Sequence, residues 1–171
     1  MELRDGQLVM GSWTEDDAPA VYAACQDREI QRWIPDIPRP YTLEHARQFV
    51  NAPDGFAIRE SGELVGSISL GLTAHNTASI GYWCVPQARG RGIMTRALRR
   101  VCRYARDELA VDRIELTAAR DNAASQRVAE KVGFQREGVM RSKHAHPDGH
   151  RIDEVLFSLL PGELIEQQAP A

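Results

Sequence analysis

Cysteine is scarce: Cys25, Cys84 and Cys102 are three among 171 residues, an odd number with no paired metal spacing. A disulfide-stapled scaffold is therefore not expected, and a reduced, cytoplasmic setting is. No apolar run approaches the roughly 18 residues of a membrane span. Met1 to Gly11 also lacks the basic-then-apolar pattern of a leader, so no membrane partner is expected. Positive charge is not in excess, because 21 Lys and Arg stand against 24 Asp and Glu, a formal net charge of -3. General affinity for nucleic acid is thereby disfavoured. Repeats, low-complexity tracts and interdomain linkers are missing too. With 43% apolar and 26% charged residues, what is left is a single globular α/β domain over 1–171, its core spanning about residues 8–160.

The informative stretch runs from Val85 to Thr95. Ser79 to Val85 is short, apolar, aromatic and β-branched, as a buried strand is, and Pro86 withholds the next ladder donor. Downstream, Leu98, Val101, Cys102, Ala105 and Leu109 recur at helical spacing, with Arg96, Arg99, Arg100, Arg103 and Arg106 on the other positions. Between strand and helix, Gly90 and Gly92 let backbone N–H groups close around a bulky anion. The free N–H groups and dipole of the helix start point into the same turn, and Arg89 and Arg91 add full charges. A pyrophosphate fits this description; so does a turn that is only a turn.

Along the chain, an Asp5-Gly6 turn precedes a first strand at Leu8 to Trp13. A helix capped by Thr14 or Asp16 follows, with Ala18, Val21, Tyr22 and Cys25 on its apolar face. Arg32 to Tyr41 holds three prolines and reads as an ordered loop, whose Trp33, Ile34 and Tyr41 either line a pocket or pin the loop to the core. Thr42 caps a helix from Leu43 to Asn51 that stops before Pro53-Asp54-Gly55. Phe56 to Arg59 and Leu64 to Leu72 form a hairpin, and Asn76 turns the chain into the strand at Ser79. Arg113 to Ala119 alternates as a strand and closes a right-handed βαβ unit, with the Gly-rich turn at the strand's carboxyl end. Asp121 or Asn122 caps another helix with Ala124, Val128 and Val132 along one edge, ended by Gly133. Gln135 to His144 and Arg151 to Leu160 close the sheet, and the tail from Pro161 reads as frayed.

Gln87-x-x-Gly90-x-Gly92 after an apolar strand resembles the acetyl-CoA motif of the GCN5-related N-acetyltransferase (GNAT) superfamily, and the order of elements resembles that fold over about Leu8 to Leu160. The likeness is strongest to the RimJ/RimL-like branch, the ribosomal-protein-alanine N-terminal acetyltransferases. It implies a mixed, mostly antiparallel sheet flanked by helices, whose fourth and fifth strands, as counted here, are parallel and splay apart. It also implies that the pantetheine arm of acetyl-CoA lies against Trp83, Cys84 and Val85. Gln87, Arg89, Gly90, Arg91, Gly92, Ile93, Met94 and Thr95 would meet the phosphates, and Asn122 and Ser125 the pantetheine. Ser125 is implied as the group that protonates the leaving thiolate. Trp33, Ile34, Tyr41 and Tyr82 fall to the acceptor side.

Acetyl transfer to an amine needs a proton acceptor of moderate basicity. His144 is the candidate, because imidazole titrates near neutrality and the branch carries a carboxylate at the place His144 occupies; Glu137 or a strand-held water is the reserve. His144, His146, His150 and Asp148 are weak evidence for a metal, and none is expected. Cys84 in an apolar strand reads as a small hydrophobe rather than a nucleophile, so direct transfer is preferred. A dinucleotide site is disfavoured because Thr95 stands at the third glycine position. The arginine stripe keeps a nucleic-acid module in view, and a non-catalytic acetyl-CoA sensor shares every cofactor residue. The expected acceptor is a peptide N-terminus, with a small amine as the alternative, and the enzyme is expected as monomer or homodimer.

Overall fold

Alternating apolar and polar residues along eight strands build one open sheet in the computed structural model of the chain, which describes residues 1–52 and 55–166. The strands are β1 (Glu2–Asp5), β2 (Leu8–Gly11), β3 (Phe56–Glu60), β4 (Glu63–Thr73), β5 (Thr77–Cys84), β6 (Arg113–Ala119), β7 (Gln135–Ala145) and β8 (Arg151–Leu159). Their spatial order is β1-β2-β3-β4-β5-β6-β8-β7. All neighbours run antiparallel except β5 and β6. Five α-helices, α1 (Ala18–Ala24), α2 (Arg28–Trp33), α3 (Leu43–Val50), α4 (Ile93–Asp107) and α5 (Ala123–Val132), cover the sheet.

Period-two alternation divides the apolar side chains between two cores. On β5, Ala78 and Ile80 join a core with Leu98 and Val101 of α4 and Val132 of α5. Trp83, pointing the other way, joins a second core with Val21, Ile30, Ala46 and Val50 of α1, α2 and α3. Hence α4 and α5 lie on one face and the first three helices on the other.

The parallel pairing that the sequence predicts is short. β5 and β6 are in register only from Thr77↔Arg113 to Ile80↔Leu116. Beyond that point β5 pairs only with β4, from Gly81↔Ser69 to Gly66↔Cys84, while β6 turns to β8 as far as Ala119↔Glu154. The facing edges of Gly81 to Cys84 and of Thr117 to Ala119 therefore part without pairing. This is the splay that the resemblance implies.

Elsewhere the structure corrects the sequence reading. The first strand ends at Gly11, not Trp13, and β1 is an additional strand that pairs with β2 and buries Leu3. Tyr22 leaves the apolar face of α1 and is exposed. The stretch read as a loop from Arg32 begins inside α2, a six-residue helix that the following prolines disguised; Asp27 caps it by accepting from the Ile30 N–H at 3.0 Å. On α5 the buried residues are Ala129 and Val132, whereas Ala124 is exposed. Pro53 and Asp54, where α3 was expected to stop, lie outside the described residues.

The arginine stripe of α4 is spent on the fold. Arg96 pairs with Asp5 at 3.0 Å and Arg100 donates to the Arg4 carbonyl at 3.3 Å, so both hold β1. Arg99 donates to the Ile165 carbonyl at 2.7 Å, Arg103 pairs with Glu166, and Arg106 pairs with Asp107 at 2.8 Å. A nucleic-acid reading loses its main support, since carboxylates and carbonyls already occupy those guanidinium groups. The expectation of a frayed tail fails through Glu166: the Ile165 N–H donates to the Val132 carbonyl at 2.9 Å, and Leu164 packs on the core. Residues 167–171 lie outside the described residues.

Gly133 makes that docking possible. Its φ is +110°, and a Cβ there would stand 2.1 Å from the Glu163 carbonyl oxygen. Gly133→Ala is expected to cost more than about 1 kcal/mol, through left-handed strain and displacement of the tail. Thermal melts check this; an unchanged melting temperature would show that the tail contributes nothing.

Candidate active site

Where β5 and β6 part, a cavity of about 400 Å³ passes between the two faces of the sheet. One wall comes from Ile30, Trp33, Ile34 and Trp83, the other from Tyr82, Asn122, Ser125 and Val128. Its floor is Cys84 with Arg89, Gly90, Gly92 and the start of the following helix at Ile93, Met94 and Thr95. A volume of this size is ordinary for a small-molecule site.

The turn has the form expected from its glycines. Gly90 and Gly92 adopt φ of +73° and +74°, and a Cβ added at either would meet nothing within 4 Å, so the cradle is open. Gly92 is the N-cap of α4 and supplies no side-chain bond, and the first helical bond recorded there runs from the Arg96 N–H to the Gly92 carbonyl. The N–H groups of Ile93, Met94 and Thr95 therefore face the turn without a side-chain cap, at the positive end of a 15-residue helix. That arrangement suits a pyrophosphate, and the unpaired edge from Gly81 to Cys84 suits an amide-bearing arm laid alongside it. The residues present fit coenzyme A.

The flanking charges differ from expectation. Arg89 lines the cavity, yet its guanidinium is paired with Asp27, and Arg91 is paired with Glu60 at 2.6 Å outside the lining. Burial pushes the Asp27 carboxyl up, but Arg89 and the Ile30 N–H outweigh it and hold the group below the usual carboxylate range. Asp27 thus ties the start of α2 to the glycine turn. Val85 and Gln87 are likewise absent from the lining, the latter in a short 3-10 turn from Pro86 to Ala88.

Asn122 caps α5 by accepting from the Ser125 N–H at 3.1 Å. The Ser125 hydroxyl is 3.0 Å from the Tyr82 hydroxyl, which also donates to the Ser125 carbonyl at 3.1 Å. Burial pushes the Tyr82 hydroxyl up to about 12, against the pull of its bond to Ser125. It is protonated at neutral pH. Sequence reading put Tyr82 on the acceptor side; the structure places it in the cavity wall beside Ser125, a pairing across 43 residues with no local signal.

The acceptor-side residues divide. Trp33 and Ile34 are half-buried walls, and the Trp33 indole donates to Glu29 at 3.0 Å. Tyr41 is a core residue, 8% exposed within the second core, and does not reach the cavity. Cys84 is a wall residue whose thiol is pushed up by burial, partly opposed by Arg89, so it is a poor nucleophile.

His144 stands outside the cavity walls, next to the loop that follows α2. Its Nδ1 is 2.7 Å from Oε1 of Glu154, and its Nε2 is 3.9 Å from Asp36, two residues beyond the wall residue Ile34. Sequence reading missed Glu154, which lies in an apolar strand and is 5% exposed. Glu137, the reserve base, is occupied: Arg113 grips it at 2.9 and 2.7 Å and Ser158 donates at 2.7 Å, which together pull its carboxyl down to about 2. His146 and His150 stack with centroids 6.1 Å apart, and among the described residues no cluster suited to a metal ion occurs.

Comparison with known proteins bears on the family and the fold. The family model described as an acetyltransferase (GNAT) domain matches residues 7–135. The chain is 27% identical over 171 residues to the uncharacterized N-acetyltransferase YoaA of Bacillus subtilis, covering 92% of this chain and 96% of that protein. It is 32% identical over 88 residues to the ribosomal-protein-serine acetyltransferase of Escherichia coli, about half of each chain (50% and 49%). The solved structure of Mycobacterium smegmatis RimJ in complex with CoA-disulfide superposes with a TM-score of 0.83 at 25% identity, covering 97% of this chain and 88% of that one.

The Glu137 network gives a pH prediction. A carboxyl held near 2 stabilises the fold fully above its unfolded value, about 4.3, and that contribution is lost as pH falls through about 2. Glu137→Gln should therefore flatten the fall in melting temperature across that acid window and leave turnover intact. Loss of turnover in a folded Glu137→Gln protein would return Glu137 to the chemistry.

Proposed function

The chain belongs to the GNAT acetyltransferase family, in its RimJ/RimL-like branch, and on that premise we propose that it transfers the acetyl group of acetyl-CoA directly to a primary amine at a peptide or protein N-terminus. The observation that carries this reading is the cavity through the parted strands. An uncapped glycine turn forms its floor, and a histidine–carboxylate pair stands outside its walls, 3.9 Å from Asp36 of the loop that follows the wall residue Ile34. When bound, acetyl-CoA supplies the acetyl group as a thioester, whose C–S bond breaks as the new C–N bond forms.

The chain's own residues do the rest. Gly90, Gly92 and the N–H groups of Ile93, Met94 and Thr95 hold the phosphates, and the free edge of β5 at Trp83 and Cys84 orients the pantetheine amides. Trp33 and Ile34 shape the acceptor entrance and keep water from the reacting end. His144 takes a proton from the acceptor ammonium at Nε2, which frees the amine lone pair for attack. Ser125, whose N–H donates to Asn122 and whose hydroxyl meets the Tyr82 hydroxyl at 3.0 Å, turns its hydroxyl proton to the departing sulfur. A thiol with an ordinary value near 8.5 leaves fairly well near neutrality, so Ser125 carries less of the rate than His144. The peptide acceptor draws support from the relative named for a ribosomal-protein serine.

Two variants test the reading. Gly92→Val should abolish acetyl-CoA binding by calorimetry while the fold persists, because the side chain would enter the cradle at a φ suited to glycine. His144→Gln should lower kcat by about 10² to 10⁴, the worth of a general base, with acetyl-CoA affinity intact. Thiol release on a panel of N-terminal peptides and small amines separates the acceptor classes. Turnover confined to small amines would overturn the peptide assignment, and no turnover with intact binding would leave a sensor.

A further inference from the structure

We infer that Glu154 is a positioning residue: its buried carboxylate fixes the His144 ring with Nδ1 protonated and Nε2 bare toward the acceptor loop. This rests on the proposed role of His144 as the base. Three observations carry it.

The first is burial. Glu154 is 5% exposed, and its Oε2 has no hydrogen-bond partner among the described residues. A lone carboxylate in such a place costs several kcal/mol unless a cation or donor answers it. The recorded answer here is His144, through Oε1 at 2.7 Å. No packing role explains the charge, because Val155, Phe157 and Leu159 fill the α4 face of β8 while Glu154 points to the opposite one.

The second is backbone geometry. Met140 pairs with Glu154 and His144 pairs with Ile152, so three residues of β7 span what one residue of β8 spans. Ser142 absorbs the excess at φ +52°, and the bulge is tied down by its N–H to Asp153 at 2.8 Å and by Arg151 to its carbonyl at 2.6 and 2.9 Å. Bulges of this kind re-aim a side chain. Here the side chain re-aimed is His144, set against Glu154.

The third is proton logic. An ionised carboxylate only accepts, so a 2.7 Å contact requires the proton on Nδ1. Nε2 then keeps its lone pair and faces Asp36 at 3.9 Å, and Asp36 and Glu154 are the acidic groups within ion-pair reach of the ring. When Nε2 gains the acceptor's proton, the imidazolium is balanced by Glu154 and the proton on Nδ1 stays where it was.

The test pairs kinetics with magnetic resonance of isotope-labelled histidine. In the native protein His144 should show the Nδ1–H tautomer. Glu154→Met keeps the volume, removes the acceptor and should move the ring toward Nε2–H, with kcat down at least about 10-fold and the KM for acetyl-CoA unchanged. Glu154→Gln, which can still accept, should lie between the two. Glu154→Met added to His144→Gln should cost nothing further, since Glu154 acts through the ring. A native Nε2–H tautomer would overturn the inference, because Glu154 would then be the donor. An equal loss from Glu154→Met in the presence and absence of His144 would overturn it as well. If His144→Gln keeps its rate, the base assignment falls, while the tautomer still decides whether Glu154 holds the ring. Should Glu154→Met misfold, Glu154→Gln carries the same readouts.

Discussion

Everything about this molecule's chemistry depends on two parallel strands ceasing to pair. A sheet interior is closed because each backbone edge is satisfied by its neighbour. After Ile80 and Leu116 that ceases to hold for β5 and β6, and each strand keeps only its outer partner, β4 and β8. Unpaired N–H and C=O groups near the centre of a sheet are costly unless something replaces the ladder. A ligand with amides of its own is the natural replacement. The gap thereby supplies both a binding edge and a passage through the sheet.

That passage matters because the candidate groups are on opposite sides. Tyr82 and Ser125 belong to the face covered by α4 and α5, while Glu154 and His144 belong to the face shared with α1 to α3 and the loop carrying Asp36. A proton donor and a proton acceptor separated by a sheet could not serve one reaction if the strands stayed paired. The ion pair between Arg89 and Asp27 links the same two sides, fastening the glycine turn to the cap of α2. An arginine read from sequence as a phosphate ligand serves in the structure as a strut.

What could be read from sequence was what depends on near neighbours. The glycines of the turn, the amphipathic α4, the Asn122 cap with Ser125 and the hairpins are all encoded within a few residues, and each is present. The failures have a common cause in distance. Arg91 meets Glu60 across 31 residues, Arg96 meets Asp5 across 91, and Tyr82 meets Ser125 across 43, so nothing local announces these pairings. The family resemblance puts Tyr41 on the acceptor side, with a loop pinned to the core as the alternative, and its ring lies in the second core. The short α2 was hidden by prolines that lie just after it and set its end rather than preventing it.

Two glutamates on neighbouring strands show why residue type alone could not separate a structural acid from a candidate proton group. Glu137 and Glu154 face partners of different kinds. Arg113 and Ser158 give the first a permanent cation and an added donor, and a carboxyl held near 2 cannot take a proton at neutral pH. His144 gives the second an imidazole partner, through Nδ1 at 2.7 Å. An exposed acid gripped by an arginine is a brace, whereas a buried acid beside an imidazole is a counter-charge that counts only when the ring is protonated. What separates the two is a register shift in β7 that swings His144 onto Glu154, a choice made by backbone geometry rather than by either carboxylate.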